Sequence, residues 1–419
     1  MKKYDLIVVG GGLSGVSASV AAARGGLSVL LIEKSGTLGG AMSNSLVYPF
    51  MPFWTNDKET NMKKYLSGGI FKEMLTMQEA LGLNTNDMHF NPEYFKFILD
   101  ELTQDAGVDV LFHAVLYDVM KDDRRIKSIK VIAGSEKVSL SADFFIDTTG
   151  DGNLFYMAGC DYALGRESDN LCQPMTTCFR MSGVDIERFN AEKENIQKLY
   201  KEYQNARKIS NPRENILCFL GIGEGIMHFN TTRIIKRNPT DPFDVSKAEK
   251  AARGQILELV NFLKEVSPAF KNSNIISIAS DIGVRESRKL RGEHILTEEE
   301  LKNCTKFEDG IALGNYDIDI HNPAGSGTSH YYFKAGEYYS IPYRSLLPKE
   351  FDNLLVAGRC ISATHEAQAS VRIMPICACM GEAAGLAIAI AKQTNTNAHT
   401  LDSEILREKL KSNGAILEI

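Results

Sequence analysis

Residues 4–40 read YDLIVVGGGLSGVSASVAAARGGLSVLLIEKSGTLGG, and the rest of the chain is organised around them. Asp5–Val9 is a short run of branched apolar residues, as a strand buried on both faces requires. Gly10, Gly12 and Gly15 follow at G-x-G-x-x-G spacing, directly after that strand, and open a helical run over 14–24. The first glycine permits a tight turn, the second lets backbone approach a pyrophosphate, and the third lets helix and strand pack closely. The helix start offers unpaired N–H groups and a partial positive charge. Residues 27–32 form the next strand, and Glu33 ends it, 21 residues after Gly12. A carboxylate there can accept hydrogen bonds from both ribose hydroxyls of an adenosine. A lone glycine motif is weak evidence. Here strand, spacing, helix and acid agree on the ADP half of a dinucleotide.

A second glycine pair, Gly39-Gly40, lies close to that acid and suggests a loop folding back over the nucleotide, with backbone at 40–43 in reach of it. The aromatic run SLVYPFMPFW (45–54) either lines a pocket beside a planar ring or is core. Helices are expected over 58–83 and 92–106, strands over 109–120, 126–133, 137–141 and 142–147. The last of these ends in Thr148-Thr149-Gly150-Asp151-Gly152, a small-residue terminus that lets backbone pass close to the nucleotide. From about Cys172 the chain turns more polar. Strand-like pieces at 176–181 and 216–220 alternate with helices over 185–206 and 246–266, which suits a separate domain running to about Tyr343. Gly221-x-Gly223-x-Gly225 lacks an acid at the proper distance and reads as a turn, so a second nucleotide fold for NADPH is not supported. A final strand over 351–359, a loop over 360–374 and a long Ala/Gly-rich helix from Pro375 return the chain to the first sheet.

The 419 residues carry a formal net charge of −6 and 24% charged residues, with no basic block, so nucleic acid and anionic membrane are not expected partners. The first strand begins too early to leave room for a signal peptide. The most apolar stretch, 373–391, is broken by Pro375 and Glu382 and reads as a buried helix rather than a membrane span. Eight cysteines without zinc or redox spacing point to a reduced, cytoplasmic setting.

Two further segments carry candidate chemistry. In SIASDIGVRESRKLRGEHILT (277–297), Arg285 and Arg288 are i, i+3 neighbours if helical and would then clamp a substrate carboxylate; the alternative is a solvated segment pairing with Glu286 and Glu293. Asp317, Asp319, His321 and His330 suggest a metal only if the strand is regular, and a hard cation needs more oxygen ligands; no metal is expected.

GGGLSG with Glu33 and Gly39-Gly40, TTGDG (148–152) and NLLVAGR…MPICACMGEAAGLA (353–387) together resemble the glutathione-reductase-type FAD fold. With LVYPFMPF (46–53), IGVRESRKLRGEHILTEEEL (282–301), YDIDIHNP (316–323) and SATHEAQASVRIMP (362–375), the chain is similar over nearly its whole length to the bacterial FAD-dependent oxidoreductase family, related to fumarate reductase flavoproteins and a heterodisulfide reductase subunit. The resemblance implies an α/β fold: a Rossmann-like, three-layer FAD-binding domain with a mainly parallel sheet (1–171 and 346–419) and an inserted α+β substrate or cap domain (172–345). It implies that Gly10, Gly12, Leu13, Ser14, Gly15, Glu33, Lys34, Gly39, Gly40, Ala41, Met42 and Ser43 surround the ADP and ribityl parts, with Val115 against adenine. Thr149 and Gly150 would lie on the pyrophosphate side, Gly358 and Arg359 by the pyrophosphate and ribityl chain, and Met374 and Ile376 at the flavin's N1/O2 edge. Related flavoproteins often carry an acid after the final glycine, where this chain has Arg359; that puts the usual carboxylate-to-ribityl contact in doubt. No His or Cys stands in the 39–44 loop to attach the cofactor, so noncovalent FAD is expected.

On this reading the protein passes a hydride or electron pair between FAD and a small organic substrate, and the catalytic candidates are His365, Arg372 and Arg288. His365 would be a proton donor and Arg372 would bind a substrate anion or the flavin O2 edge. The partners implied are that substrate, an electron donor or acceptor of unassigned identity, and self-association into a homo-oligomer as an open alternative. The competing readings are an FAD-dependent monooxygenase using NAD(P)H and oxygen, and a non-catalytic FAD-binding redox sensor or structural module.

Overall fold

The computed structural model of the protein describes residues 3–83, 88–220 and 222–419. Its central sheet has seven strands. Tyr4–Val9 pairs in parallel with Val29–Ile32 on one side and with the end of Glu136–Asp147 on the other. Asp109–Leu111 extends the sheet in parallel beyond Val29–Ile32, and Leu354–Val356 pairs in parallel with Phe145–Asp147. Residues 137–141 and 142–147 are one strand, not two. The first half of Glu136–Asp147 closes an antiparallel meander with Arg125–Ala133 and Ala114–Asp122, and its second half joins the parallel sheet. This is the Rossmann-like architecture expected.

Two helices lie parallel on one face of the sheet and form the centre of the core. Leu13–Arg24 and Met374–Thr394 approach so closely that a Cβ on Gly381 would stand 2.0 Å from Ser14 O and one on Gly385 2.0 Å from Ala18 O. Met374–Thr394 is long and apolar enough to cross a membrane, yet 94% of its most apolar window is buried inside the protein. It is a core helix. The first-sheet core also takes in Tyr48, Phe50 and Phe53, which stack among Phe71, Phe90 and Phe95; the aromatic run is packing.

The inserted region builds a four-stranded antiparallel sheet from Cys218–Phe219, Met227–Phe229, Phe179–Ser182 and Asn274–Ile278. The helices Ile186–Asn205 and Pro242–Val266 cover one face around Phe179, Met181, Met227 and Phe229. Strand alternation therefore turns Arg180 and His228 to the other face.

Several elements differ from the sequence reading. The helix expected over 58–83 is confined to Gly69–Ala80; before it, Trp54–Asn56 and Lys63–Tyr65 form a hairpin whose turn is bonded by Asp57 to the N–H groups of Glu59 and Thr60. The strand over 109–120 breaks at His113, which takes a positive φ of 52°. The loop over 360–374 contains a helix, His365–Val371, capped by the Thr364 side chain on the Ala367 N–H. Gly221 of the expected glycine turn lies outside the described residues.

Candidate active site

The nucleotide end is built from backbone. A Cβ on Gly15 would stand 1.8 Å from Gly10 O, and one on Gly10 (φ +109°) would stand 2.5 Å from Thr148 O. Both glycines are therefore needed for helix, strand and the 148–150 turn to close on one another. The Gly39-Gly40 loop folds back as expected: Gly39 N–H donates to Gly11 O (2.8 Å), and a Cβ on Gly40 would meet Gly12 Cα at 2.9 Å. At Gly12 itself an added Cβ would meet nothing within 4 Å. Open space at the second glycine and closure at the first and third is the shape a pyrophosphate needs. Ser14 supplies a second sign: its hydroxyl is buried without a hydrogen-bond partner and lies beside Gly358, whose φ is +91°. Leu13 begins the helix and is itself buried in the core.

Glu33 is buried at the end of its strand. Its Oε2 accepts from the Gly11 N–H (2.7 Å) and its Oε1 from the N–H and hydroxyl of Ser35. The carboxylate is thus held against the turn with lone pairs still available for a ribose. Val115 is 52% exposed on the strand whose Ala114 N–H donates to Glu33 O, so it stands at the rim beside the acid. Lys34 points instead to Asp281 of the inserted region (3.1 Å). Ser43 spends its hydroxyl on Leu38 O (2.6 Å), Met42 is packed in the core, and Ala41 is exposed.

The Arg359 departure has a structural answer. Arg359 Nη2 donates to Asp151 Oδ1 (2.8 Å) and its Nη1 to Ser287 Oγ (3.1 Å). Burial pushes the Asp151 carboxyl up, but Arg359 and the Ser287 hydroxyl outweigh it and hold it ionised. The carboxylate that faces Arg359 thus comes from the TTGDG turn. Gly150 must be glycine for this, because a Cβ there would lie 2.8 Å from Arg359 Nη2. Thr149 ties its N–H and hydroxyl to Asp147 Oδ1.

The long helix presents its first turn at the other end of the groove. Its ladder begins with the Cys377 N–H donating to Ile373 O (3.0 Å), so the N–H groups of Met374 and Ile376 precede it and Pro375 has none to satisfy. Gly381 abuts Ser14, and the long helix starts seven residues before Gly381 whereas the first helix starts one before Ser14. At 1.5 Å per residue the two helix starts are offset by about 9 Å and aim the same way. One suits the pyrophosphate, the other a ring further along the groove. The donors present fit FAD.

The three catalytic candidates are not brought together. His365 and Arg372 bracket the same short helix. His365 is buried, with Nδ1 2.9 Å from Glu286 Oε1. Glu286 is also bonded by the Lys289 ammonium and by the Gln173 N–H (3.0 Å). Burial works to raise the Glu286 pKa, yet the hydrogen bond from His365 and the charge of Lys289 hold it below the usual range. With Nδ1 committed to a carboxylate, Nε2 is the atom His365 has left for proton transfer. A cavity of about 440 Å³ borders His365, lined among others by Arg166, Ile320, Thr328 and Glu366. A second cavity of about 230 Å³, at Phe53, Tyr65 and Ile416, touches none of these groups.

Arg372 lies at the other end, 3.7 Å from Asp319 Oδ2. Asp319 is also 3.2 Å from His321 Nε2, whose Nδ1 faces Arg233 Nη2 at 3.0 Å. A guanidinium only donates, so Nδ1 accepts and Nε2 carries the proton toward Asp319. Burial and the Arg285 charge keep His321 neutral. Burial works to raise the Asp319 pKa, and the His321 hydrogen bond together with Arg372 and Arg285 lowers it below the usual range.

Arg288 does not join them. Residues 285–287 are non-helical and Arg288–Leu290 is a strand, so the i, i+3 clamp with Arg285 does not form. Its guanidinium stacks on Tyr156 at 3.9 Å and donates to Asp151 O. The sequence reading missed Asp319 as an Arg372 partner, Glu286 as the His365 partner, and Asp151 as the Arg359 partner. Asp317, Asp319 and His330 place donor atoms within 4.8 Å of one another, but His330 Nδ1 is engaged with Asp317 Oδ2 at 2.5 Å and Asp319 serves His321 and Arg372, so the group carries no metal assignment.

A phosphate cradle, a ribose acid and a second helix start aimed the same way define a dinucleotide-binding protein. The chain belongs to the FAD-dependent oxidoreductase family, whose model matches residues 5–410, and it uses FAD. It is 31% identical over 159 residues to digeranylgeranylglycerophospholipid reductase of Picrophilus torridus, which covers 35% of this chain and 39% of that one. It is 26% identical over 155 residues to the mitochondrial dihydrolipoyl dehydrogenase of Schizosaccharomyces pombe, covering 35% and 28%. These matches span less than half the length of the curated relatives. Among solved structures, a geranylgeranyl bacteriochlorophyll reductase-like protein of Thermoplasma acidophilum is 14% identical with a TM-score of 0.49, covering 99% of this chain and 85% of that one. CabE, an aromatic hydroxylase from angucycline biosynthesis, is 11% identical with a TM-score of 0.49, covering 98% and 68%. Membership in a family of enzymes sets aside the non-catalytic module.

Proposed function

We propose that the protein holds FAD noncovalently and passes a hydride or electron pair between it and a small organic substrate admitted beside the inserted sheet, with residues 172–345 as the substrate-facing unit. The observation that carries this is the pair of parallel helix starts, offset by about 9 Å and aimed along one groove. The Gly12 turn and the Ser14 hydroxyl would hold the pyrophosphate, Glu33 the ribose, and the N–H groups at Met374 and Ile376 the ring's N1/O2 edge. Bound FAD supplies the two-electron chemistry. The protein's part is to orient, to keep water out and to move a proton. His365 Nε2 is the proton donor, with Glu286 fixing the tautomer and Lys289 neutralising the carboxylate.

An electron partner, self-association, a cytoplasmic location supported by eight free cysteines, and a bacterial kinship to fumarate reductase flavoproteins and a heterodisulfide reductase subunit complete the proposal. Purified protein should be yellow and release intact FAD on denaturation. Anaerobic reduction by dithionite, followed by admission of candidate acceptors, should return the oxidised spectrum with the acceptor reduced. Reoxidation by air coupled to hydroxylation would instead mark a monooxygenase. A colourless protein that takes up no FAD would end the reading.

A further inference from the structure

Four guanidiniums lie within electrostatic reach of Asp319: Arg213, Arg233, Arg285 and Arg372. Two carboxylates answer them. Glu214 lies 3.1 Å from Arg233, and Asp319 lies 3.7 Å from Arg372 and within electrostatic reach of Arg213 and Arg285. Asp317, two residues from Asp319, is engaged with His330. The layer therefore carries about two positive charges more than its acids balance, in a place where unpaired charge is costly.

The excess concentrates on two side chains. Among the described residues Arg285 donates only to neutral acceptors, Pro174 O (2.7 Å), Thr176 Oγ1 (2.5 Å) and Asn230 Oδ1 (3.3 Å). Arg372 stands beyond hydrogen-bond range of Asp319, and its Nε is buried without a partner. Arg213 adds to the field from deeper in, 5% exposed, with its Nη1 also unpartnered. Burial and the charges of Arg372 and Arg213 press the Arg285 guanidinium down to about 9, which reports how close these like charges are held. Arg285 is fixed in advance by the 174–176 backbone and hydroxyl, whereas Arg372 faces Asp319 across 3.7 Å; Asp319 is itself held by His321 and by the Tyr316 hydroxyl (3.2 Å). One preorganised fork and a second guanidinium short of an acid match a planar anion.

We propose that Arg285 and Arg372 together receive a carboxylate of the substrate, so that the substrate is an organic acid. The proposal rests on the flavin-site reading above and narrows it to a substrate class. The FAD-loaded protein is titrated with benzoate, fumarate and citrate, and with benzamide and fumaramide, reading the flavin difference spectrum and the thermal shift. At least one acid should bind, with affinity falling as salt rises, and its neutral amide should bind about tenfold more weakly or worse. Arg285→Met and Arg372→Met should each weaken the acid by about tenfold or more, and Arg285→Lys, which keeps charge but loses the fork, should recover part of the loss. Acids and amides binding alike, none of the acids binding, or variants holding affinity within about twofold would overturn the proposal. If Arg372→Met shifts the flavin's reduction potential and leaves acid affinity intact, Arg372 serves the ring edge and the two-arginine site is wrong. Protein that takes up no FAD would fail the flavin reading, whereas yellow, reducible protein indifferent to acids fails this inference alone.

Discussion

The two ends of the groove are made from different materials. At the nucleotide end, Gly10, Gly15 and Gly40 bring main chain to main chain, and Gly12 leaves open space between them. At the other end, Glu286, His365, Asp319, Arg285 and Arg372 are polar side chains drawn from segments far apart in the chain and joined by hydrogen bonds and ion pairs. The first end should fail when atoms are added. The second should fail when charge is removed. An enzyme that must grip one cofactor but adapt to its own substrate gains from this division, because the backbone cradle is indifferent to what the side-chain layer becomes.

The comparison can be broken from either side. The largest effect is expected at Gly15→Val: a Cβ 1.8 Å from Gly10 O cannot be accommodated, so the variant should lose FAD and unfold or aggregate on purification. Soluble yellow protein would show that the turn is not closed by main chain. Gly12→Ala separates folding from binding. Its Cβ meets no protein atom, so the melting temperature without cofactor should hold while FAD affinity, read by fluorescence titration, drops by about tenfold. Unchanged affinity would place the pyrophosphate elsewhere.

In the side-chain layer, Glu286→Gln leaves Lys289 buried beside a neutral amide and His365 without its carboxylate. Denaturant unfolding should record a loss of about 3 kcal/mol, and the pH dependence of flavin reduction should change with it. Full stability would mean that the ion pair is dispensable. A smaller effect is expected at Glu382, a buried carboxyl of the long helix that accepts from the Ile70 N–H (2.9 Å) and is pushed up by burial to about 7. Because its folded pKa exceeds the ordinary 4.5, the folded state binds the proton more tightly. Stability should fall as pH rises from about 4.5 through 7 and then level, by about 3 kcal/mol at most. Glu382→Gln should flatten that part of the profile and stabilise the protein at pH 8, as thermal melts across pH would show. A slope that survives the substitution belongs to another group.

The contrast also explains what could be read in advance. Gly10 to Glu33 was legible because strand, turn, helix and acid are neighbours in sequence, and backbone geometry is dictated by local residues. Arg288 misled for the complementary reason: i, i+3 spacing implies a common face only on a helix, and the Arg288 backbone is claimed by pairing with residues 162–164. The helix at His365–Val371 escaped notice because it is only seven residues long and sits between a strand and a proline.

The sequence by itself determined a dinucleotide fold, its FAD-type closing elements and the identity of the groove's backbone donors, since each follows from short-range spacing. Only the tertiary structure decided which charges meet. Asp151 answers Arg359 across 208 positions, Glu286 answers His365 across 79, and Asp319 faces Arg372 from the hairpin of Ile318–His321 with Thr328–Tyr331. Electrostatic partnership depends on distances of a few ångströms between segments that the chain places far apart, and no local pattern records it.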